Sequence, residues 1–548
     1  MRNLFELYVS LRQKHGNQRL FCAENLSYHQ AITFALRRAQ FLIEQGFKPG
    51  DIVAVLGHNS AEWGITYMAI TAMGGIALLL DTNLTHELYQ KYLALVETKA
   101  IFVSNKFSHH YHDVITFDIA LTGGLAEKEL AANDCTRQSL STMLYTSGTV
   151  GDPKIIGLNH NNIIETGLVS VAHITTGPRD IFLSLLPLYH VYGLIAGFIA
   201  PLFGGSSIVV QQSLKGTDII QSLADYPITI FPAVPQIWEL FIERILGKLR
   251  KESSLKHNIF LFVLNHTPSF YHLGLGFIPK LLFKPVHTAI GTNIRYLLTG
   301  GARMKRKYWL YYQNMGFTLL EGYGLTETTG PMCGSRVKKP KPICIGRPFP
   351  GNEIQIRQTD NGLGEIWVRG VSVMPGYYKN DKLNQEVFDR DGWFNTGDIG
   401  FIDRDGDVHL RGRKKNVIVL DSGKNAYPEE LESFYLSNSL AIEEISIFGR
   451  RVEGKEVIFA VIVPINKERN AYVEIKEELR RIDQGLPTYK RIGEFAISYE
   501  PLPRTSTKKV IVREVVKNLE AQQYQVQLND PHITIVKKTA PELVGAHR

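Results

Sequence analysis

The sequence predicts an α/β fold, with a large N-terminal domain of several subdomains (α/β sheets plus a β-rich subdomain) and a small α+β C-terminal domain. Three observations predict it. Residues 27–100 alternate helical and strand-like apolar patterns, as parallel α/β units do. From about Asn352 the pattern changes to paired strands separated by tight turns. After Arg413 mixed helix and strand patterns return. At 548 residues the chain is also too long for one core, because cores split beyond ~250–300 residues.

In chain order, residues 31–45 carry an apolar stripe (Ala35, Leu36, Ala39, Leu42, Ile43) that Gly46 stops. Residues 51–57, DIVAVLG, read as a buried strand, 63–73 as a helix and 76–80 as the next strand. Met143-Leu144-Tyr145 leads like a strand into a Gly/Ser/Thr-rich loop, and the alternation continues through 208–211 and 228–231. Residues 353–370 read as two strands around Asp360-Asn361-Gly362, and 401–413 as a hairpin turning near Asp405-Gly406. A helix is expected at 428–436, with strands near 444–448 and 457–463. The expected domains are 1–412, 413–515 and a C-terminal extension at 516–548, which holds a strand-like ITIVKK and a polar tail.

The segment 238–290 is distinct. Trp238, Phe241, Ile242, Ile245, Leu246 and Leu249 share one helical face, with Arg244, Lys248, Arg250 and Lys251 off it. A second apolar stretch with Lys280 and Lys284 follows. The pattern fits a half-buried helix with a solvated face, and it fits a basic helix lying on a membrane.

Net charge is +8, which suits anionic ligands, nucleic acid or an anionic membrane without choosing among them. Four scattered cysteines (Cys22, Cys135, Cys333, Cys344) argue against a disulfide framework or zinc site and fit a reducing cytosol. The first residues lack a long apolar run, so no signal peptide is expected. No stretch of apolar residues is long enough for a transmembrane helix.

Six clusters carry chemistry. LYTSGTVGDPK, at 144–154, crowds small and hydroxyl residues ahead of Lys154. Small residues let backbone N–H groups converge on an anion, and a lysine supplies a point charge. GxxxxGK[ST] is absent, so this is a phosphate cradle of another kind. LPLYHVYG (186–193) sets His190 among aromatics, and LLTGGARM (297–304) runs a strand into a Gly-Gly turn open to a flat ring. EGYGLTET (321–328) carries Glu327, which reads alone as a surface acid and, if near a phosphate loop, as an oxygen donor suited to Mg²⁺. Asp398 lies in a tight Thr-Gly-Asp-Ile-Gly turn, where it can accept two hydroxyls or simply cap the turn. LPRTSTKKV (502–510) is a Pro-led basic loop. Each has a plain structural reading alone; their order and spacing are far harder to obtain by chance.

With these motifs in sequence, the chain resembles the adenylate-forming, AMP-binding superfamily, which includes acyl-CoA synthetases, luciferases and peptide-synthetase adenylation domains. The match runs from about residue 27 to 513 and includes GEIWVRGVSVMPGYY, DGWFNTGD and RGRKKNVI in the family's order. The resemblance implies two half-reactions. A carboxylate attacks the α-phosphorus of ATP, giving acyl-AMP and pyrophosphate; a thiol, usually that of coenzyme A, then displaces AMP. It further implies that Thr146, Ser147, Gly148, Thr149, Gly151 and Lys154 hold phosphates, and that Gly301, Ala302 and Tyr323 surround adenine. By the same likeness Thr326 touches the α-phosphate, Glu327 ligates Mg²⁺, and Asp398 and Arg413 bind the ribose. Lys509 matches the catalytic lysine, Lys415 the hinge about which a mobile small domain turns, His190 the histidine beside the acyl site, and Gly423 a turn used in thioester formation. Val150, Lys508, Asn416 and Ala426 depart from the family pattern.

The extended 244–290 segment resembles the insertion of long-chain acyl-CoA synthetases, and Trp238 stands at their gate position or in the core. No acidic residue is placed to read an amino group. The expected substrate is a medium- to long-chain fatty acid, with ATP, Mg²⁺ and coenzyme A, and no nucleic acid. Two alternatives are an acyl-AMP ligase loading a carrier protein and an aryl-CoA ligase; a third, of another class, is a weakly active acyl-AMP- or nucleotide-binding module. The expected location is the cytoplasm, with peripheral contact at the inner face of a membrane as a further option.

Overall fold

The computed structural model describes residues 1–107, 111, 114–146, 154–360, 362–452, 454–467, 471–505, 510–521 and 525–527. The chain divides into two compact units. The first comprises Met1–Gly362, Ile366–Thr396 and Ile402–His409; the second comprises Leu363–Glu365, Gly397–Phe401 and Leu410–Arg548.

The first unit is α/β, as the alternating patterns predict. One seven-stranded sheet runs in the order Gly376–Tyr377, Lys154–Asn159, Leu140–Thr146, Ile76–Leu79, Ile52–Leu56, Ala100–Val103, Ile115–Asp118. Its strands are parallel from Leu140–Thr146 onward, and its Lys154–Asn159 and Gly376–Tyr377 strands are antiparallel. A nine-stranded sheet has a parallel centre that includes Ile181–Ser184, Ile230–Ala233, Tyr296–Gly300 and Leu319–Leu325. Central strands such as Ile52–Leu56 are buried at every position, which explains their unbroken apolar runs.

Helix starts follow local chemistry. The helix expected at 31–45 spans Tyr28–Glu44, because Ser27 and Gln30 form a capping box that satisfies the first N–H groups. Asn159 and Asn162 do the same for His160–Ile174. Within the latter helix His160 is fully buried; its Nδ1 accepts the Leu4 N–H at 3.2 Å, and its Nε2 has no hydrogen-bond partner among the described residues. Burial lowers its pKa from 6.5 to about 4. The folded state thus needs the neutral ring, and its stability is complete above the unfolded value and lost as pH falls toward the folded one. Chemical denaturation should show stability falling between pH 6.5 and 4, with His160→Gln less steep in that window. Equal slopes would remove this assignment.

The β-rich texture from Asn352 is present as strands Asn352–Asp360, Leu363–Gly370, Phe394–Ile402 and Val408–Arg413. The second unit holds a four-stranded sheet of Ile442–Val452, Lys455–Pro464, Glu494–Ile497 and Gln525–Gln527, with helices Pro428–Asn438, Ala471–Asp483 and Val512–Glu520. Both long strands exceed their expected lengths, because charged residues such as Arg451 and Lys455 occupy exposed positions of a continuing ladder. ITIVKK lies outside the described residues.

Candidate active site

Strand Leu140–Thr146 pairs antiparallel with Lys154–Asn159, and Thr146 is the register partner of Lys154. The phosphate loop therefore leaves and re-enters a sheet at adjacent positions. Ser147, Gly148, Thr149, Val150 and Gly151 lie outside the described residues, as does the Thr146 side chain. Lys154 opens the return strand and is half-buried.

A residue that sequence reasoning did not single out joins this lysine to the acidic motif. The strand Gly376–Tyr377 adds to the Lys154–Asn159 edge, with Tyr377 opposite Ile156 and Gly376 opposite Gly157. That register puts the Tyr377 ring 5.2 Å from Lys154 Nζ, a cation–π distance. Its hydroxyl donates to Glu327 Oε1 at 2.8 Å. The backbone closes the same link, since Met374 N–H donates to the Glu327 carbonyl at 2.8 Å. Asn162 Nδ2 donates to the Val371 and Val373 carbonyls, and the Thr329 hydroxyl to the Ser372 carbonyl, so both sides of the segment before Tyr377 are held. Tyr377 sits in the Gly-Tyr-Tyr of GEIWVRGVSVMPGYY, which is the sequence signal that marks it.

Thr326 and Glu327 form a tight turn, Thr326–Thr328, closed by the Leu325 N–H to Thr328 Oγ1 bond at 2.8 Å. Thr329 follows at φ 54 and Gly330 at φ 86, which reverses the chain at once. Gly324 is required here, because a Cβ would lie 1.6 Å from the Gly330 carbonyl oxygen. Glu327 offers a hard carboxylate held by a neutral hydroxyl beside a phosphate-type lysine. That donor chemistry fits Mg²⁺ completed by phosphate oxygens.

At the Gly-Gly turn expected to face a flat ring, strand Tyr296–Gly300 runs parallel to Leu319–Leu325, with Gly300 opposite Gly322. A Cβ on Gly300 would come within 3.0 Å of the Gly322 carbonyl, so the two backbones close without side chains. Gly301, at φ +77, turns the chain and is followed by Ala302. Tyr323, nearly buried, is opposite Cys333 in the next strand. Two unpredicted residues flank this region. The ring of Tyr192 lies 3.8 Å from where a Gly301 Cβ would sit. Glu321 is buried, its Oε1 has no hydrogen-bond partner among the described residues, and burial pushes its pKa up to about 8. Burial thus favours its neutral form. Spacing alone revealed neither, because Tyr192 reaches Gly301 from the separate helix Val191–Leu194 and Glu321 is defined by its burial.

His190 precedes the short helix Val191–Leu194, with its Nε2 3.8 Å from Asp81 Oδ2. Trp238 is fully buried at the start of helix Pro235–Glu252; its Nε1 donates to the Leu298 carbonyl at 3.3 Å and its ring meets Phe231 edge-on at 4.7 Å. Of the two readings of this tryptophan, the packing is that of a core residue.

Within the second unit, Arg413 Nε donates to Asp398 Oδ1 at 2.7 Å, and the carboxylate is 7% exposed. Lys415 lies in the turn Lys414–Asn416, and Asn416 Nδ2 donates to Glu429 Oε1 at 2.7 Å. Gly423, at φ +72, shapes the turn between Ile418–Val419 and Asn425–Ala426, with open space where a Cβ would project. Lys508 and Lys509 lie outside the described residues.

Replacing Tyr377 by Phe keeps the ring beside Lys154 and removes the hydrogen bond to Glu327. A bond to a charged group contributes ~1.5–3 kcal/mol, so kcat/KM for ATP should fall about tenfold or more, with a higher Mg²⁺ requirement. Titrating ATP and Mg²⁺ in steady-state assays checks this; an unchanged Mg²⁺ requirement would mean the tyrosine only fills space.

A model of the AMP-binding enzyme family matches residues 10–378. The long-chain-fatty-acid–CoA ligase FadD15 of Mycobacterium bovis is 28% identical over 465 residues, covering 78% of this chain and 74% of that protein. The long-chain-fatty-acid–CoA ligase ACSBG2 of Homo sapiens is 24% identical over 518 residues, covering 85% and 76%. Among solved structures, the o-succinylbenzoate CoA synthetase MenE of Bacillus subtilis, in complex with ATP and magnesium ion, superposes with a TM-score of 0.76 at 23% identity, covering 94% of this chain and 99% of that one. The anthranilate CoA ligase AuaEII, in complex with anthranoyl-AMP, gives 0.79 at 19% identity, covering 95% and 98%. At these identities the structures speak to the fold, which they share along nearly the whole chain. The family match spans the phosphate-loop strands, the Glu327 turn and Tyr377 together, and the chain belongs to the AMP-binding enzyme family of adenylate-forming enzymes.

Proposed function

We propose that this protein is an ATP-dependent, AMP-forming ligase that activates a medium- to long-chain fatty acid as acyl-AMP and passes it to coenzyme A. The observation that carries the reading is the contact chain Lys154–Tyr377–Glu327, which ties a phosphate-binding strand to a carboxylate suited to Mg²⁺. The substrate class is supported by the curated relatives, several of which are named long-chain-fatty-acid–CoA ligases.

In this reading the loop 146–154 grips the β- and γ-phosphates, with Lys154 countering their charge. Thr326 orients the α-phosphate, and Glu327, steadied by Tyr377, holds Mg²⁺. When bound, Mg²⁺ neutralises phosphate oxygens and eases departure of pyrophosphate. Gly301, Ala302 and Tyr323 accept the adenine ring. Asp398 and Arg413 take the ribose hydroxyls and His190 lines the acyl side, while Trp238 serves as a core residue and not as a gate. Lys509 supplies charge to the carboxylate and α-phosphate during adenylation. Lys415 acts as a hinge, and Gly423 serves the thioester step.

ATP–pyrophosphate exchange over a panel of fatty, aryl and amino acids, with and without coenzyme A, tests the assignment. Exchange should be greatest with fatty acids, and acyl-CoA should form once coenzyme A is added. Exchange without acyl-CoA would indicate a carrier-protein acceptor; preference for aromatic acids would indicate an aryl-CoA ligase. No exchange with any acid would indicate a nucleotide-binding module.

A further inference from the structure

Helices Ser254–His272 and Phe277–Ile290 form a hairpin joined by a four-residue turn, with Phe260 packed edge-on against Phe283 at 5.2 Å. Its inner side is committed to the core through Phe260, Leu264, Phe283 and Val286. Its outer side is not. At the tip, Leu273 and Leu281 are each 72% exposed and Phe277 64% exposed, with Tyr271 beside them. Along the first helix Leu255, Ile259 and Phe262 recur at a helical spacing and are also exposed. This is the densest run of exposed large apolar side chains among the described residues. Scattered exposed apolar groups need no explanation, but a contiguous set marks an interaction surface.

The charge around it selects the partner. No Asp or Glu occurs between Glu252 and Glu321, whereas Lys256, Lys280 and Lys284 are exposed on the two hairpin helices. An apolar tip with exposed Lys280 and Lys284 on its second helix, and no acidic residue in the hairpin, complements an anionic lipid headgroup layer over hydrocarbon. Among the described residues no helix is long and apolar enough to cross a membrane, so the hairpin would lie at the interface. We propose that the tip of this hairpin, through Tyr271, Leu273, Phe277 and Leu281 with Lys280 and Lys284, docks the protein on the surface of an anionic phospholipid bilayer. The proposal does not depend on which acid the enzyme activates.

The test uses the full-length protein and two vesicle preparations, pure phosphatidylcholine and an equimolar mixture of phosphatidylcholine and phosphatidylglycerol. In cosedimentation the protein should partition onto the mixed vesicles, less so as salt rises. A Leu273→Glu, Phe277→Glu, Leu281→Glu triple variant should lose about tenfold or more of that partitioning, with its thermal melt and its ligase activity in detergent-free buffer on a short soluble acid retained. Lys280→Ala with Lys284→Ala should weaken binding to mixed vesicles and make it less salt-dependent. A Phe277→Trp variant should shift its fluorescence to the blue on mixed vesicles, beyond any change in the wild type. The proposal is overturned if the wild-type protein stays in the supernatant, if the triple variant binds as the wild type does, or if the Phe277→Trp variant shows no such added shift. It is equally overturned if sedimentation equilibrium shows the triple variant converting a dimer to a monomer, since a second copy would then be what covers the tip.

Discussion

Lys509→Ala should slow acyl-adenylate formation by about 10²–10³-fold and leave thioester formation from supplied acyl-AMP within a few-fold of the wild type. The asymmetry follows from where charge develops. In the first half-reaction a carboxylate oxygen approaches an already anionic α-phosphate, and the pentavalent arrangement gathers negative charge on its equatorial oxygens. A lysine bridging both groups lowers that repulsion and fixes the line of attack. In the second half-reaction a thiol attacks a carbonyl carbon and AMP leaves, so the same cation is not required. Lys508 adjoins it, where the family usually has glycine. Lys508→Ala is therefore the informative partner variant: it should leave adenylation nearly intact. If Lys508→Ala suppresses adenylation and Lys509→Ala does not, the assignment passes to the neighbouring residue.

Glu327→Gln should lower pyrophosphate exchange by on the order of 10²-fold, because even groups that only support a metal ligand typically cost 10–100-fold in metal affinity when changed. The substitution preserves shape and the ability to accept from Tyr377, and it removes the charge. The loss should be partly recovered by raising Mg²⁺, which a purely structural role would not produce. Tyr377→Phe should add little in the Glu327→Gln background, since the hydroxyl acts through the carboxylate it holds at 2.8 Å. Full additivity of the two losses would separate Tyr377 from Glu327 and break the contact chain on which the proposed function rests.

The fold was legible where one residue type recurs with a simple period. The buried strand Ile52–Leu56 and the helix at Pro428–Asn438 both follow from local pattern, whereas the apolar stripe alone starts the helix Tyr28–Glu44 at 31 and misses the Ser27–Gln30 cap that starts it at Tyr28. The candidate site was legible where chemistry clusters along the chain, as in LYTSGTVGDPK and EGYGLTET. Tyr377 was not, because its partners are Lys154 and Glu327, far away in sequence and joined only when Gly376–Tyr377 adds to a sheet edge. Glu321 was missed for a related reason: nothing in its neighbours along the chain says that position 321 is buried. The apolar hairpin at 254–290 was legible as a pattern that fits core or membrane. In the structure Phe260 and Phe283 pack into the core, and Phe277 and Leu281 are exposed.

The central claim is that acid activation passes through acyl-AMP before reaching the thiol. A single-turnover experiment with enzyme in excess over radiolabelled medium- or long-chain fatty acid tests it most directly. With ATP and Mg²⁺ alone, labelled acyl-AMP should accumulate on the enzyme in step with pyrophosphate. On addition of coenzyme A it should convert to acyl-CoA as AMP appears. Formation of acyl-CoA with release of ADP and phosphate, or with no acyl-AMP detectable on any timescale, would contradict the account.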